Sequence, residues 1–335
     1  MRLITSLAAA AALSLSAGAA MAAGHCSDGE IHIKFSHVTN TDKHPKGIAA
    51  SLLEKRVNEE MDGKACMTVF PNSQLYDDNK VLEALLLGDA QMAAPSLSKF
   101  EKYTKQFRLF DLPFMFANMD AIDAFQQSEH GQKMLNSMQR KGIQGLAFWH
   151  NGLKQLSATK PLLVPSDAAG LKFRIQSSDV LQAQFEAVGA NPQKMSFKEV
   201  YGALQTGVIE GQENTWSNIY GKKFFEVQDG VTESNHGVID YLVVTSTEFW
   251  DGLPDDVRSQ LSTILAEVST ARNAEAFAVN EAAKAAVIAA GSEVRQLTAE
   301  QRAAWVAAMK PVWKKFEADV PADLVAAAQS FNASN

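Results

Sequence analysis

The fold is set by residues 31–70, which read IHIKFSHVTNTDKHPKGIAASLLEKRVNEEMDGKACMTVF. Strand-like runs at 31–38 and 65–70 flank a segment, 45–61, in which apolar residues recur at three-four spacing: Ala49, Leu52, Leu53, Val57 and Met61. This spacing predicts a helix, which Asp62-Gly63 would end. The order of strand, helix and strand predicts two parallel strands joined by a right-handed crossover.

A second amphipathic helix follows the strand at 65–70. Asp77 or Asp78 would cap this helix and Gly88 would end it. Its apolar stripe consists of Val81, Leu82, Leu85 and Leu86. Repetition of the strand–helix unit predicts a parallel sheet covered by helices, the arrangement of an α/β fold.

The rest of the chain continues the alternation. The further predicted elements are strands at 143–149, 171–175, 208–211 and 238–244 and helices at about 121–141, 179–188, 196–205 and 254–290. Ser196 and Glu199 have capping-box spacing. Asn151-Gly152 is a turn dipeptide and 160–170 is typical of a linker, so we place the first crossing between domains there.

The helix predicted at 254–290 is too long for one small domain. At 1.5 Å per residue it would extend roughly 55 Å, so we expect it to span two lobes. Thr298 would cap a final helix that carries Trp305 and Trp313 and kinks at Pro311. A length of 335 residues also allows about two domains.

The composition excludes several classes of protein. The chain is 46% hydrophobic and 21% charged, which is a globular balance, and its net charge of −7 comes without a cluster of Lys and Arg. A protein that binds nucleic acid needs such a cluster to displace counterions from phosphates. We therefore expect no nucleic-acid partner.

The first 23 residues have the pattern of a signal peptide. A short cationic start at Met1-Arg2 precedes the apolar run 3–21, and Ala20-Met21-Ala22 offers small residues at the cleavage site. The alternative is a membrane anchor, which needs about 20 strongly apolar residues, whereas this run is rich in Ala and Ser. We expect export to the periplasm and a mature chain without an anchor.

Two cysteines, Cys26 and Cys66, precede or begin the first two predicted strands. If these strands are parallel neighbours, their starts lie at one edge of the sheet, within reach of a disulfide. An oxidising compartment would preserve that bond. The alternative is two unpaired thiols, with Cys26 mobile near the mature terminus.

The sequence contains no recognisable catalytic motif. It lacks a nucleotide-binding glycine loop, a zinc-binding helix, a cysteine pair at metal spacing and a nucleophile-elbow serine. No cofactor or metal is therefore required by any motif. An enzyme built from residues that converge only in space remains the alternative.

Polar residues follow three predicted strands, at 36–39, 71–76 and 94–100. In an open parallel sheet, ligands bind beyond the carboxyl ends of the strands. We expect these three loops to converge on a binding crevice.

Eight motifs in register resemble the substrate-binding subunit of tripartite ATP-independent periplasmic (TRAP) transporters, in its dicarboxylate-binding DctP branch. They are Phe35-Ser36-His37-Val38, His44-Pro45-Lys46-Gly47, Pro71-Asn72-Ser73-Gln74-Leu75, Ala94-Pro95-Ser96, Phe110-Asp111-Leu112-Pro113-Phe114, Gly170-Leu171-Lys172-Phe173-Arg174, Glu199-Val200-Tyr201 with Ala203-Leu204-Gln205-Thr206-Gly207, and Gly211-Gln212-Glu213-Asn214-Thr215-Trp216-Ser217-Asn218.

The resemblance implies a two-lobed α/β periplasmic binding protein with a ligand cleft between the lobes and a long connecting helix. We expect lobe I at 28–151 plus about 240–279 and lobe II at 152–239 plus about 280–335, with the helix at 254–290 spanning both. It also implies membrane permease subunits as partners, and we expect a monomer.

The resemblance further implies binding residues in lobe II. Arg174 matches the carboxylate-binding arginine of the family, whose planar fork suits a carboxylate; otherwise it is an arginine in a surface ion pair. Asn214 matches a ligand-binding amide, with a turn residue as the alternative, and Phe197 matches a pocket aromatic, with a core role as the alternative. Lys154 stands where other branches often have arginine, which leaves bidentate geometry in doubt.

For the other end of the cleft the candidates are Lys46, His37 and Ser96, and Trp216 is a candidate cover for the ligand. Alternatively, Lys46 is a solvated residue at the start of a helix, His37 is a loop histidine with its hydrogen bonds satisfied, and Trp216 is a packing residue. Several cationic candidates in an acidic protein favour a small dianion. The sequence therefore predicts a receptor for a four-carbon dicarboxylate such as malate, succinate or fumarate; the alternatives are a sugar acid or keto acid receptor, or an enzyme acting on such acids.

Overall fold

A computed structural model describes residues 26–332, so the signal peptide predicted at 1–23 lies outside the described residues. Two mixed sheets organise the described chain. The first has the order β2-β1-β3-β10-β4 and the second the order β11-β9-β5-β8-β6-β7. The strands are β1 Ile31–Ser36, β2 Ala65–Phe70, β3 Met92–Ala93, β4 Ile143–Leu153, β5 Gln155–Ala158, β6 Lys172–Ile175, β7 Asn191–Lys194, β8 Gly211–Asn214, β9 Gly230–Glu233, β10 Val238–Ser246 and β11 Glu293–Gln296.

Helices cover both sheets. They are α1 Pro45–Glu60, α2 Val81–Leu86, α3 Met119–Gln127, α4 Glu129–Leu135, α5 Asp179–Ala187, α6 Val200–Gln205, α7 Trp216–Gly221, α8 Thr247–Gly252, α9 Asp255–Ala289, α10 Ala299–Met309, α11 Val312–Lys315 and α12 Ala322–Asn332. Short 3-10 helices at Leu97–Phe100, Gln106–Asp111 and Phe197–Glu199 add to them near the cleft. Within residues 26–332, none of the helices combines the length and apolar composition needed to cross a membrane.

The chain passes between the sheets three times, twice at neighbouring connections between strands and once through α9. Strand β4 of the first sheet is followed after Lys154 by β5 of the second, and residues 234–237 lead from β9 back to β10. Strand β10 runs antiparallel to β3 and β4, whereas β1 is parallel to β2 and β3. The predicted parallel pairing is confirmed for β1, β2 and β3, whereas β10 is antiparallel because it returns from the second lobe against the direction of β4.

The long helix spans both lobes, as predicted. Leu261, Ile264, Leu265 and Val268 pack in the core of the first sheet, and Ala283 and Val287 pack in a core of the second lobe. At 1.5 Å per residue, the 35 residues of α9 cover roughly 52 Å. Helix α12 packs on α3 of the first lobe, where Leu324 shares a core with Phe110. Helix α11 contributes Val312 to the same core and also contacts α5 of the second lobe.

Several local predictions were wrong. Lys80, not Asp77 or Asp78, is the N-cap residue of α2. The helix expected at 121–141 is divided at Ser128, whose backbone is extended and whose hydroxyl accepts a hydrogen bond from Gly131 N. Asn151-Gly152 lies inside β4 rather than in a turn, because Asn151 N donates to Asp240 Oδ1 of β10 at 2.8 Å.

Two further boundaries differ from expectation at the cleft. Ser196 precedes a 3-10 helix and forms no side-chain cap, so the capping box with Glu199 is absent there. The strand expected at 208–211 is Gly211–Asn214, so Asn214 ends a strand rather than standing in the turn after one.

The predicted disulfide between Cys26 and Cys66 is confirmed, with a Cα–Cα distance of 5.6 Å. Strands β1 and β2 are parallel neighbours with His32 opposite Cys66, so the beginnings of both strands lie at one edge of the sheet. The disulfide therefore lies at the end of the sheet opposite the loops that follow the strands.

Candidate ligand-binding cleft

A small cavity of about 20 Å³ lies between the two sheets. The loops after β1, β2 and β3 contribute one wall and the ends of β6 and β8 the other, as expected for the carboxyl ends of strands. Its lining residues are Val38, Thr39, Asp78, Asn79, Ser96, Lys99, Ile239 and Tyr241 from the first lobe and Arg174, Gln176, Ser196, Phe197, Asn214 and Asn218 from the second.

Arg174 is the buried cation of the second wall, with only 2% of its surface exposed. Its Nε and Nη2 atoms donate to the carbonyl oxygen of Met195 at 3.1 and 2.9 Å, and the guanidinium lies 5.8 Å from the centre of the Phe197 ring. Within residues 26–332, no carboxylate lies within ion-pair distance of it. Burial lowers its pKa to about 10, so it is charged at neutral pH. A buried guanidinium without an anion favours binding of a carboxylate.

Polar atoms without partners surround Arg174. In the described chain, Ser196 Oγ, Gln176 Nε2 and Asn218 Oδ1 are buried and have no hydrogen-bond partner. The Asn214 side chain is fixed, since its Nδ2 donates to Gln212 Oε1 at 2.6 Å and its Oδ1 accepts from Asn218 Nδ2 at 2.9 Å. Unsatisfied buried polar groups are costly, and a polar ligand would satisfy them.

Two lysines supply positive charge from the first wall. Lys99 borders the cavity, and its Nζ donates to Asn79 Oδ1 at 2.7 Å. Lys46 is fully buried behind the wall, where its Nζ donates to Ala94 O at 2.9 Å and lies 3.8 Å from the centre of the Tyr241 ring. Burial lowers the pKa of each ammonium to about 8. Asp78 is the carboxylate that borders the cavity.

The two histidines of this wall are neutral. Burial, reinforced by the charge of Lys46, lowers the pKa of His37 to about 3 and that of His44 well below its usual range. His37 Nδ1 is paired with Thr39 Oγ1 at 3.1 Å, and its Nε2 has no partner among the described residues. His37 thus supplies hydrogen-bonding capacity without charge.

Hydrogen bonds join the two walls across the cavity. Ser96 Oγ donates to Gln176 Oε1. Ser177 Oγ donates to Asn79 Oδ1 at 3.2 Å, and Lys222 Nζ donates to Asn72 Oδ1 at 3.1 Å. The two lobes are therefore in direct contact next to the site.

The structure brings some of the predicted site residues together and separates others. Arg174, Asn214, Phe197 and Ser96 line the cavity. Lys46 and His37 lie directly behind its first wall, next to Tyr241 and Val38 respectively. Lys154 and Trp216 do not line this cavity.

Lys154 lies in a buried network at the crossing between the lobes. Its Nζ is 2.9 and 2.8 Å from the two carboxylate oxygens of Glu213, and His236 Nε2 is 2.8 Å from Glu213 Oε2. Burial alone would raise the pKa of Glu213, but Lys154 and His236 hold it well below its usual range. The ammonium is neutralised by protein and does not border the cavity.

Trp216 packs in the core of the second lobe with Val200 and Ile219. Its ring lies 5.6 Å from Lys284 Nζ of α9 and borders a separate pocket with Asn280. In the structure Trp216 is therefore a packing residue, the alternative that we gave to its covering the ligand.

Sequence reasoning missed several lining residues. Lys99 lies in one of the polar loops described above, Asn79 lies beside another, and Asn218 ends the last of the eight motifs. Their positions in or near these segments were the only sequence signal that they line the cleft. Ser196 was assigned to a helix cap and Gln176 was not singled out. Tyr241 lies in an apolar strand, where no local pattern distinguishes a lining residue from a core residue.

Among the described residues, three or more possible metal ligands come together only at Cys26, Glu30 and Cys66, where the two sulfurs form the disulfide. The cleft itself has no such group within that part of the chain.

Comparisons with known proteins agree with this geometry. A family model described as bacterial extracellular solute-binding protein, family 7 (DctP) matches residues 35–319. The chain is 69% identical over 311 residues to the C4-dicarboxylate-binding periplasmic protein DctP of Vibrio cholerae, and the match covers 93% of this chain and 94% of that protein.

Solved structures show the same fold. A TRAP periplasmic solute binding protein from Shewanella oneidensis with bound succinate has 52% identity and a TM-score of 0.89, covering 90% of this chain and 99% of that one. A second, from Pseudomonas aeruginosa PAO1 with bound L-malate, has 47% identity and a TM-score of 0.83, covering 85% and 99% respectively.

Proposed function

Because the chain belongs to the bacterial extracellular solute-binding proteins of family 7, we propose that it is a periplasmic receptor for a four-carbon dicarboxylate. The mature protein would begin after the signal peptide at 1–23 and deliver its ligand to membrane permease subunits of a TRAP transporter. The similar proteins from Shewanella oneidensis and Pseudomonas aeruginosa, which hold succinate and L-malate, support this ligand class.

The observation that carries the proposal is the buried Arg174, which has no carboxylate partner among the described residues and faces the same cavity as Lys99 of the other lobe. Two cations, Arg174 and Lys99, line the cavity against one carboxylate, Asp78. An excess of positive charge around a cavity between two lobes is complementary to a small dianion.

The proposed mechanism is closure of the lobes on the ligand. A dicarboxylate that contacts both walls stabilises the closed state more than the open one, and this difference in affinity shifts the population. Movement would be concentrated at the two strand-to-strand crossings, near Lys154 and at 234–237. We propose lobe I as 28–151 plus about 240–279 and lobe II as 152–239 plus about 280–335. Within the last range, α12 packs against α3 of lobe I.

A thermal-shift screen of organic acids on the purified mature protein tests the proposal. Succinate, L-malate and fumarate should raise the unfolding temperature, because a ligand that binds only the folded state stabilises it. Stabilisation by a sugar acid with none by these dicarboxylates would overturn the ligand class. Conversion of succinate to another compound during incubation would contradict a purely binding role.

A further inference from the structure

Lys99 is fixed in place by the residues around it. It belongs to the 3-10 helix Leu97–Phe100, whose Leu97 and Phe100 are buried in the core of the first lobe. Ser98 Oγ donates to Asp111 Oδ1 at 2.6 Å on the protein side of the same turn. The core thus fixes the position of this turn. Of its four residues, Lys99 is the one that borders the cavity.

Lys99 forms no ion pair with a carboxylate of the described residues, and Asp78, Asp77 and Asp111 act on its charge only from beyond ion-pair distance. Its Nζ donates to the neutral Asn79 Oδ1, and no carboxylate of residues 26–332 lies within 4.0 Å of it. Lys154 and Lys194, in contrast, have carboxylate oxygens of Glu213 and Asp179 at 2.8 and 2.7 Å. Lys99 is therefore poised for an external anion.

Arg174 and Lys99 face the cavity from opposite lobes, and each disfavours the charge of the other. Burial first, and then the charge of Arg174, lowers the pKa of Lys99. A monocarboxylate bound to Arg174 would leave the ammonium without an anion. A dicarboxylate would neutralise both groups at once.

Lys46 is less suited to this role. Its Nζ is already held by Ala94 O and by the Tyr241 ring, and its side chain is completely buried without bordering the cavity. It contributes positive potential through the wall, whereas Lys99 offers direct contact.

We propose that Lys99 binds the second carboxylate of the ligand and thereby sets the preference for dicarboxylates over monocarboxylates. This inference rests on the proposed function and assigns its specificity to one side chain. Asn79 Oδ1 accepts hydrogen bonds from both Lys99 Nζ and Ser177 Oγ. Because Ser177 belongs to the second lobe, the position of the ammonium is coupled to closure.

Calorimetry with two ligands that have the same shape but different charge tests the inference. Succinamate is succinate with one carboxylate replaced by a neutral amide. The wild-type protein should bind succinate at least about tenfold more tightly than succinamate. In Lys99→Met the ratio should fall to within about threefold of unity, with most of the loss in succinate affinity, because only the dianion uses the ammonium.

Lys102→Met is the matched control, since Lys102 is exposed three residues away and does not line the cavity. It should keep the wild-type ratio. An unchanged ratio in Lys99→Met, or an equal loss for both ligands, would overturn the role of Lys99 while leaving the receptor function intact. Failure of the wild-type protein to bind any four-carbon dicarboxylate would instead overturn the proposed function, and this inference with it.

Discussion

Lys154 Nζ lies within 3 Å of both carboxylate oxygens of Glu213, and both side chains are 1% exposed. Lys154 stands between β4 and β5, and His236, the other partner of Glu213, stands between β9 and β10. The three side chains therefore connect the two strand-to-strand crossings between the lobes. Gly237 allows this approach, because a Cβ there would lie 2.6 Å from Lys154 Cε.

We predict that Lys154→Met destabilises the fold. Removing the ammonium leaves Glu213 buried without its main partner, which costs about 3–5 kcal/mol in the free energy of unfolding. The double variant Lys154→Met with Glu213→Gln should recover much of that loss. Urea denaturation measures both, and unchanged stability together with lost succinate affinity would show that Lys154 acts on the ligand instead.

The contact between Lys154 and Glu213 also determines how the free energy of unfolding changes in acid. The pKa of Glu213 is lowered in the folded state, so its contribution is present above the unfolded carboxyl pKa, about 4.3, and is lost as pH falls through the lower folded value. Wild-type stability should fall below about pH 4.5 more steeply than that of the double variant. Parallel pH profiles would contradict this.

The sequence predicted the fold where local periodicity was strong. The strand–helix–strand unit at 31–70, the long helix and the disulfide could be predicted because spacing and strand order determine them. The short strands Asn191–Lys194 and Glu293–Gln296 could not, because both are polar and partly exposed at sheet edges.

Site prediction was limited for a different reason. Arg174 and Ser96 follow from motif position, but whether a lysine faces a ligand or a buried glutamate depends on contacts distant in sequence. Lys154 and Glu213 are 59 residues apart. Lys99 and Lys154 have the same side chain, but Lys99 lines the cavity and Lys154 is paired with Glu213, and neither fact can be predicted from the sequence around each lysine.

Arg174→Lys should weaken succinate binding by about ten- to hundredfold although charge is kept, because two charge-assisted hydrogen bonds in a fixed fork become a point contact. Calorimetry gives the dissociation constant. Arg140→Lys, which changes an exposed arginine, should leave it unchanged. Wild-type affinity in Arg174→Lys would show that the guanidinium does not hold the carboxylate.

Affinity for succinate should fall as pH rises above about 8. In the free protein Lys46 and Lys99 have pKa values lowered to about 8, and a bound dianion favours their charged forms. Below that pH both are already protonated and affinity should be nearly constant, whereas above it binding must take up protons. Titrations at pH 8 in buffers of different ionisation enthalpy should report this uptake. Constant affinity from pH 7 to 9.5 would contradict the proposed charges.

Loss of the disulfide should reduce stability without affecting binding. Cys26 and Cys66 lie at the beginnings of β1 and β2, whereas the cleft lies beyond the ends of the strands. The variant Cys26→Ser with Cys66→Ser should lose about 2–4 kcal/mol in urea denaturation and keep the wild-type affinity for succinate. Peptide mapping of oxidised mature protein should recover the linked pair, and two freely alkylated thiols would contradict it.

We propose that the cleft selects a four-carbon dianion. Calorimetric titration of the mature protein at pH 7 with succinate, and separately with D-galacturonate, tests it most directly. We predict saturable one-to-one binding of succinate at least about a hundredfold tighter than that of galacturonate, because the sugar acid has a single carboxylate and leaves one cation unpaired. Tight binding of galacturonate with no detectable binding of succinate would contradict the account.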